Sequence, residues 1–236
     1  MSAVDPSPAS PTQPSLVTCP VGVSSCPFLN TLTELQQELD QLSLQVRTDA
    51  LTGVANYRSF METLELEIER SGRNGRPTSL LMIDIDHFKK VNDSHGHEIG
   101  NQALVHVARL IIGQVRKLDL VCRYGGEEFA VILPETDLHA AIPVAERIRL
   151  TLAETPLQHG ELQLKLTASL GLTTYQPYSL SSAAELISQA DHYLYEAKQS
   201  GRNRLCHTDE PLAKDISHEE RQALFHLFGR DAQTKD

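Results

Sequence analysis

This 236-residue chain is short of several things, and each shortage removes a class of function. No stretch approaches the roughly 20 consecutive apolar residues that a membrane-spanning helix needs, so membrane insertion is not expected. Positive charge is in deficit: 21 Lys and Arg stand against 31 Asp and Glu, a net charge of −10. A non-specific nucleic-acid binder needs a basic surface, and a polybasic membrane anchor needs a basic cluster; neither is expected here. An anionic substrate would have to be neutralised by a metal ion or by local basic groups. Cysteine is sparse. The spacing of Cys19, Cys26, Cys122 and Cys206 fits no zinc pattern, and they read as free thiols of a reducing cytoplasm. The opening MSAVDPSPASPTQPS has neither a basic region nor an apolar run and does not read as a signal peptide. A cytoplasmic protein is the expectation.

What is present falls into blocks. Hydrophobic residues make up 40% and charged residues 22%, the balance of a soluble globular chain. Residues 1–27 are rich in Pro, Ser and Thr without any period and read as a disordered tail. From residue 28, Phe28, Leu32, Leu35, Leu39, Leu42 and Val46 recur at alternating spacings of four and three, an a/d seam that predicts a coiled-coil stalk over 28–48. So short a helix is marginal alone and needs a partner: its own domain, a second copy of the chain or a separate protein.

Past the stalk, DALTGVANYRSF predicts a turn entering a helix that runs to about Ser71, and TSLLMIDID (78–86) predicts a buried central strand ending in acid. A helix follows from Glu98, with Ala103, Leu104, Val107, Ala108 and Ile111 on one face. LVCRY and FAVIL flank two glycines as a hairpin. DLHAAIPVAERIRLTLAE predicts a helix with Pro143 in its first turns or at a kink, and LQLKLTASLGLTTY predicts one strand. Ser182 with Glu185 forms a capping box that opens a helix ending at Gly201, and NRLCH predicts a last short strand. Ser217 and Glu220 are placed to cap one more helix in the tail 208–236. Mixed helices and an antiparallel hairpin predict an α+β sandwich, a central sheet covered by helices.

The chemistry gathers in RYGGEEF. Taken alone, GGEE is a solvated hairpin tip. Asp84 and Asp86, however, end the 78–86 strand, and Glu127 and Glu128 open the second arm of the hairpin. Pairing of these strands would bring three or four carboxylates to one edge, beside glycines that let a bulky anion reach the backbone. Such oxygen-rich sites suit hard divalent ions, and a pair of ions can activate a hydroxyl and stabilise a leaving phosphate. Lys89, Lys198 and Arg202 are the nearby cations in the sequence pattern. Standing alone, the Lys198–Arg202 pair is favourable placement of cations at a helix C-terminus.

DALTGVAN, IDIDHFKKVNDSHGHEIGN, RYGGEEF, ASLGL and ADHYLYEAKQSGRNR, in this order across roughly residues 48–207, resemble the GGDEF family of diguanylate cyclases. The resemblance implies a palm-like sheet similar to that of nucleotidyl cyclases, within a catalytic domain of residues 49–207. It implies one GTP per domain and a homodimer in which each 3′-hydroxyl attacks the α-phosphate of the opposite GTP, giving cyclic di-GMP and pyrophosphate. By position, Asp84, the backbone carbonyl of Ile85, Glu127 and Glu128 would hold magnesium, or manganese in its place, two ions per site. Glu127 would help deprotonate the 3′-hydroxyl, with Glu128 supporting the second metal. The backbone amides of His87, Phe88 and Lys89 would cradle the terminal phosphates, and the Lys89 side chain would stabilise charge in the transition state. Lys198 and Arg202 would hold the γ-phosphate, and Asn92, His97 and Asn101 would frame the nucleotide.

Asn101 departs from the family's Asp at that position. Its amide offers one acceptor and one donor to two guanine donors; the lost acceptor costs roughly 1–3 kcal/mol, which leaves guanine binding possible and loosens its selectivity. Tyr57 stands where a basic residue is common. Arg116 and Asp119 alone would be a surface pair of little worth, but their offset from the glycines, together with Arg147, resembles the family's inhibitory site for cyclic di-GMP. The alternative to an active cyclase is a degenerate module that binds GTP or cyclic di-GMP without catalysis. A coiled-coil adaptor is a third reading. No sensor domain fits before residue 48, so a separate regulatory protein on the stalk is expected.

Overall fold

The structure is a computed structural model; it describes residues 34–35, 37–38, 47–177 and 181–208. The expected tails, Cys19, Cys26, and the seam positions Phe28, Leu32, Leu39, Leu42 and Val46 lie outside these residues. Of the seam, Leu35 is described: it is helical and 51% exposed.

The described residues from 48 on form one unit. Helix α1 (Tyr57–Asn74) leads to strand β1 (Thr78–Ile85) and the long α2 (Phe88–Ile112). The hairpin β2 (Leu120–Arg123) and β3 (Glu128–Leu133) precedes α3 (Leu138–Glu154). A small hairpin, β4 (Leu157–His159) and β5 (Leu162–Leu164), leads to β6 (Ala168–Tyr175), α4 (Ala183–Gln199) and β7 (Leu205–His207). The main sheet has the order β2-β3-β1-β6-β7. All its pairings are antiparallel except β6 with β7.

The apolar run of β1 is explained by its place at the centre, covered on both faces. Its side chains alternate between two cores, as strand geometry dictates. Leu81, Ile83 and Ile85 pack with Val107, Ala108 and Ile111 of α2 and with Ala145 and Ile148 of α3. Leu80 and Met82 pack on the other side with Phe60 and Leu64 of α1 and with Leu186, Ala190 and Leu194 of α4. Helix α4 lies so close to β6 that a Cβ on Gly171 would come 2.2 Å from the Ala190 carbonyl oxygen. That approach fixes where the C-terminal end of α4, with Lys198, meets the end of β1.

One expectation is corrected. LQLKLTASLGLTTY is not one strand but two, because HGEL makes a separate two-residue hairpin with Gly160 at φ +59°, the left-handed conformation such turns favour. The helix expected from Glu98 stands, and it is preceded by a further helical segment that opens at Phe88; the two meet at a kink at Gly96, whose φ of 82° and ψ of 163° are not helical. Pro143 is tolerated within α3. The capping box at Ser182 and Glu185 forms as expected.

Candidate active site

Register places the acids. Asp84 lies directly across from Glu128 on β3 and from Ser169 on β6. The Ile85 N–H donates to the Glu127 carbonyl at 3.3 Å, so Asp84, Ile85, Glu127 and Glu128 come together at one end of the β1–β3 pair. The turn closes through the N–H groups of Tyr124 and Gly125, which both donate to the Glu128 carbonyl. Neither Gly125 nor Gly126 has a positive φ, so backbone conformation does not require glycine at either, and crowding bears on Gly125 alone. A Cβ on Gly125 would sit 3.1 Å from Oε2 of Glu128, and one on Gly126 would point into open space.

The acids here are crowded. Burial pushes the Asp84 carboxyl above the usual range, against the pull of Lys198, and Asp86 pushes it further. Burial likewise raises Glu128, with Asp84, Asp191 and Glu127 adding to the effect and Lys198 opposing it. The Lys198 ammonium donates to Oδ2 of Asp84 at 2.8 Å, and Arg202 adds positive charge nearby. Asp191, two turns before Lys198 on α4, is raised by burial and is electrostatically coupled to Lys198. Asp191 is a site residue without a motif of its own; the signal for it in the sequence is its spacing of seven from Lys198 on one helix face.

Asp86 does not join the cluster. It is buried, and its carboxylate accepts from Thr167 Oγ1 (2.7 Å), Ser169 Oγ (2.6 Å) and the Asn203 N–H (3.0 Å). The gathering of acids is therefore Asp84, Glu127 and Glu128, with Asp191 beyond Glu128. Asp86 anchors the turn in which Arg202 and Asn203 both take positive φ, and so sets where Arg202 stands.

The nucleotide-framing candidates lie along α2. His87 caps its N-terminus in the left-handed conformation, with no side-chain hydrogen bond to the first-turn N–H groups. Phe88 is buried, whereas His87 and Lys89 are exposed. An uncapped first turn presents backbone donors to an anion. Asn92 fits only because residue 100 is glycine: a Cβ there would lie 1.9 Å from Asn92 Oδ1. His97 is exposed, next to the Gly96 break. Asn101 faces a mainly apolar cavity of about 340 Å³ with Leu51, Glu98 and Val105.

Arg123 is a residue the sequence reading quoted but gave no role. Its Nη1 faces both carboxylate oxygens of Asp49 at 3.3 Å, while its Nε and Nη2 donate to the Gly126 carbonyl at 3.1 and 2.8 Å. Asp49 also accepts from the Thr52 N–H and hydroxyl. Burial opposes ionisation of Asp49, but the bonds from Thr52 and the charge of Arg123 prevail and lower its pKa. The DALTGVAN turn is thus tied to the residue that precedes Glu127.

Away from this end, Arg116, Asp119 and Arg147 line one cavity of about 250 Å³ with Gln114, Thr136 and Pro143. The Arg116–Asp119 hydrogen bond is made by the Arg116 backbone N–H, at 2.6 Å, not by its guanidinium. Arg147 donates to the Gln114 carbonyl. Burial raises the Asp119 carboxyl, although Arg116 pulls it down.

Among the described residues no three His, Cys, Asp or Glu side chains converge so as to hold a metal ion. The donor set at the strand ends nonetheless fits a divalent cation. Asp84 and Glu128 face each other, each held above its ordinary pKa by burial and like charge, which is the condition a hard cation relieves.

Comparison with known proteins identifies the family. The family described as "Diguanylate cyclase, GGDEF domain" matches residues 46–204. The response regulator PleD of Caulobacter vibrioides is 42% identical over 171 residues, 72% of this chain and 37% of that protein. Diguanylate cyclase A of Treponema denticola is 39% identical over 178 residues, 74% of this chain and 47% of that one. The chain thus spans less than half the length of these relatives. Among solved structures, diguanylate cyclase SiaD of Pseudomonas aeruginosa, in complex with its activator SiaC, is similar with a TM-score of 0.66 and 37% identity, covering 76% of this chain and 70% of that one. The coiled coil and GGDEF domain of DgcB from Caulobacter crescentus, in complex with c-di-GMP, has a TM-score of 0.66 and 30% identity, covering 76% and 94%. The mixed sheet with helices on both faces is the fold these proteins share, and the chain belongs to the family of diguanylate cyclase GGDEF domains.

Proposed function

We propose that this chain is a diguanylate cyclase that condenses two GTP into cyclic di-GMP and two pyrophosphates across a homodimer. The observation that carries the reading is the meeting, in a GGDEF domain, of Asp84, Glu127 and Glu128 with Lys198 and Arg202 at one sheet end. Asp84, the Ile85 carbonyl, Glu127 and Glu128 would hold magnesium or manganese, two ions per site. When bound, the metal supplies Lewis-acid stabilisation of phosphoryl charge and a more acidic 3′-hydroxyl. Glu127 accepts the proton of that hydroxyl. The first-turn amides of α2 at His87, Phe88 and Lys89 bind the terminal phosphates, and the Lys89 ammonium offsets charge that grows in the transition state. Lys198 and Arg202 hold the γ-phosphate. Asn92, His97 and Asn101 orient the nucleotide, and the apolar cavity beside Asn101 suits a base.

Each domain carries one such constellation, while the product joins two nucleotides, so turnover requires two copies face to face. The seam from Phe28 to Val46 is the device proposed to bring them together, and a separate protein binding this stalk would tune the pairing. SiaD, a relative solved with an activator, is a precedent for a separate regulator. A cytoplasmic location fits a GTP-consuming enzyme. Product inhibition is assigned to Arg116, Asp119 and Arg147, whose shared cavity offers two guanidinium groups beside a carboxylate to a phosphate and a guanine. Arg116→Ala should relieve inhibition by added cyclic di-GMP without lowering the initial rate; equal inhibition in both forms would remove this assignment.

A second reading, a GTP- or cyclic di-GMP-binding module without turnover, is favoured by one observation only, the amide at Asn101. Incubating the pure chain with GTP and magnesium and separating the nucleotides by chromatography decides between them. Cyclic di-GMP accumulates if the first reading holds; GTP that binds but persists unchanged selects the second.

A further inference from the structure

The Lys198 ammonium and a divalent cation would have to occupy the same place. Lys198 Nζ stands 2.8 Å from Asp84 Oδ2, inside the carboxylate group assigned above to the metal. The two basic residues of this corner are built differently. Arg202 sits in a turn held by the Asp86 carboxylate through the Asn203 N–H, and its own N–H donates to the Ala197 carbonyl at 3.0 Å. Lys198 reaches Asp84 on a four-carbon stem from the last turn of α4, and its side chain is 28% exposed. A compact ammonium on such a stem can swing between partners, whereas the bonds at Arg202 fix its backbone. A second anion, Asp191, lies on the same helix and is electrostatically coupled to Lys198.

From this geometry we infer that Lys198 is a built-in counter-ion that competes with divalent metal for Asp84 in the nucleotide-free protein. In this state Lys198 offsets part of the charge of the carboxylate pair and holds the metal affinity down. A nucleotide offers the same ammonium a polyphosphate, draws it off Asp84 and so uncovers a metal ligand at the moment a substrate is present. One side chain then couples the two binding events, with Asp191 as a second resting partner that keeps the ammonium at the site. The inference rests on the assignment of metal to Asp84 made under the proposed function, but it concerns a state without substrate and is tested without turnover.

The test is Mn²⁺ binding to the full chain in the absence of nucleotide, followed by the electron paramagnetic resonance signal of free Mn²⁺. Lys198→Met keeps the length of the side chain and removes its charge; Lys198→Gln serves as an independent variant, with circular dichroism to confirm that each folds. Both variants are expected to bind Mn²⁺ about tenfold or more tightly than the native chain, because a unit positive charge within contact distance of the ligand is gone. The gain is expected to vanish in the Asp84→Asn/Lys198→Met double variant. Unchanged or weaker Mn²⁺ binding in both single variants, or a gain that survives the loss of Asp84, overturns the inference. Failure of the cyclase reading is separately visible: the native chain would make no cyclic di-GMP, whatever its Mn²⁺ titration shows.

Discussion

Asp84 is half-buried, raised in pKa and hydrogen-bonded to a flexible ammonium. Asp86, two residues on, is buried and accepts three hydrogen bonds from Thr167, Ser169 and the Asn203 backbone. The same side chain, at the same strand end, serves two purposes, and the partners decide which. Fixed neutral donors on three sides make a carboxylate a structural anchor. Neighbouring acids and a movable cation leave it under-neutralised, which is the condition of a group kept for chemistry.

Exchanging the two fates should show the largest effects. Asp84→Ala is expected to lower cyclic di-GMP formation at least about a thousandfold, because transition-state charge loses its ligand, while Tm stays within about 2 °C of the native value. Turnover close to native would break the comparison at its functional arm. Asp86→Ala should do its harm through folding. It leaves the Thr167 and Ser169 hydroxyls and the Asn203 N–H without their acceptor, at a cost of about 2–4 kcal/mol, or a fall in Tm of about 5–12 °C by calorimetry. An unchanged Tm would mean that solvent replaces the anchor.

The smallest effect sharpens the contrast through pH. The Glu128 carboxyl is raised above its ordinary value of 4.5, first by burial and then by the charge of Asp84. A raised folded pKa means that the group's contribution to stability is full below the unfolded value and is lost as pH rises through the folded one. Ionised Glu128 therefore weakens the fold near neutrality. Glu128→Gln is expected to raise Tm by about 1–3 °C at pH 7, and the gain should vanish below pH 4.5, where the native side chain is also neutral. A gain that persists at low pH would point to packing rather than charge.

Much of this was legible in the sequence, for physical reasons that differ by element. The apolar run of β1 and the capping box of α4 carry their own local signals, and both stand where the pattern placed them. The meeting of Asp84 with Glu128 followed from strand pairing alone. The separation of Asp86 from that cluster was not legible, because its donors come from residues 81 to 117 positions away. The helical turns ahead of Gly96 were not legible, because the kink there breaks the period between them and the helix at Glu98. The bond from Arg123 to Asp49 spans 74 residues, and no local spacing announces it.

That last bond bears on where the domain begins. Counting from the first long helix, Tyr57 looks like a natural edge for grafting this unit behind another protein. Yet Asp49 lies upstream of that edge, and Ala55 pairs with β2, its N–H donating to Val121 and its carbonyl accepting from Arg123. A fusion joint placed between residues 49 and 57 would keep the helices and both cores but release Arg123 from its carboxylate, and with it the hold on the Gly126 carbonyl. Exchange of the segment upstream of this module is therefore bounded by one carboxylate and by the pairing of Ala55, and the eight residues from Asp49 to Asn56 belong with the domain.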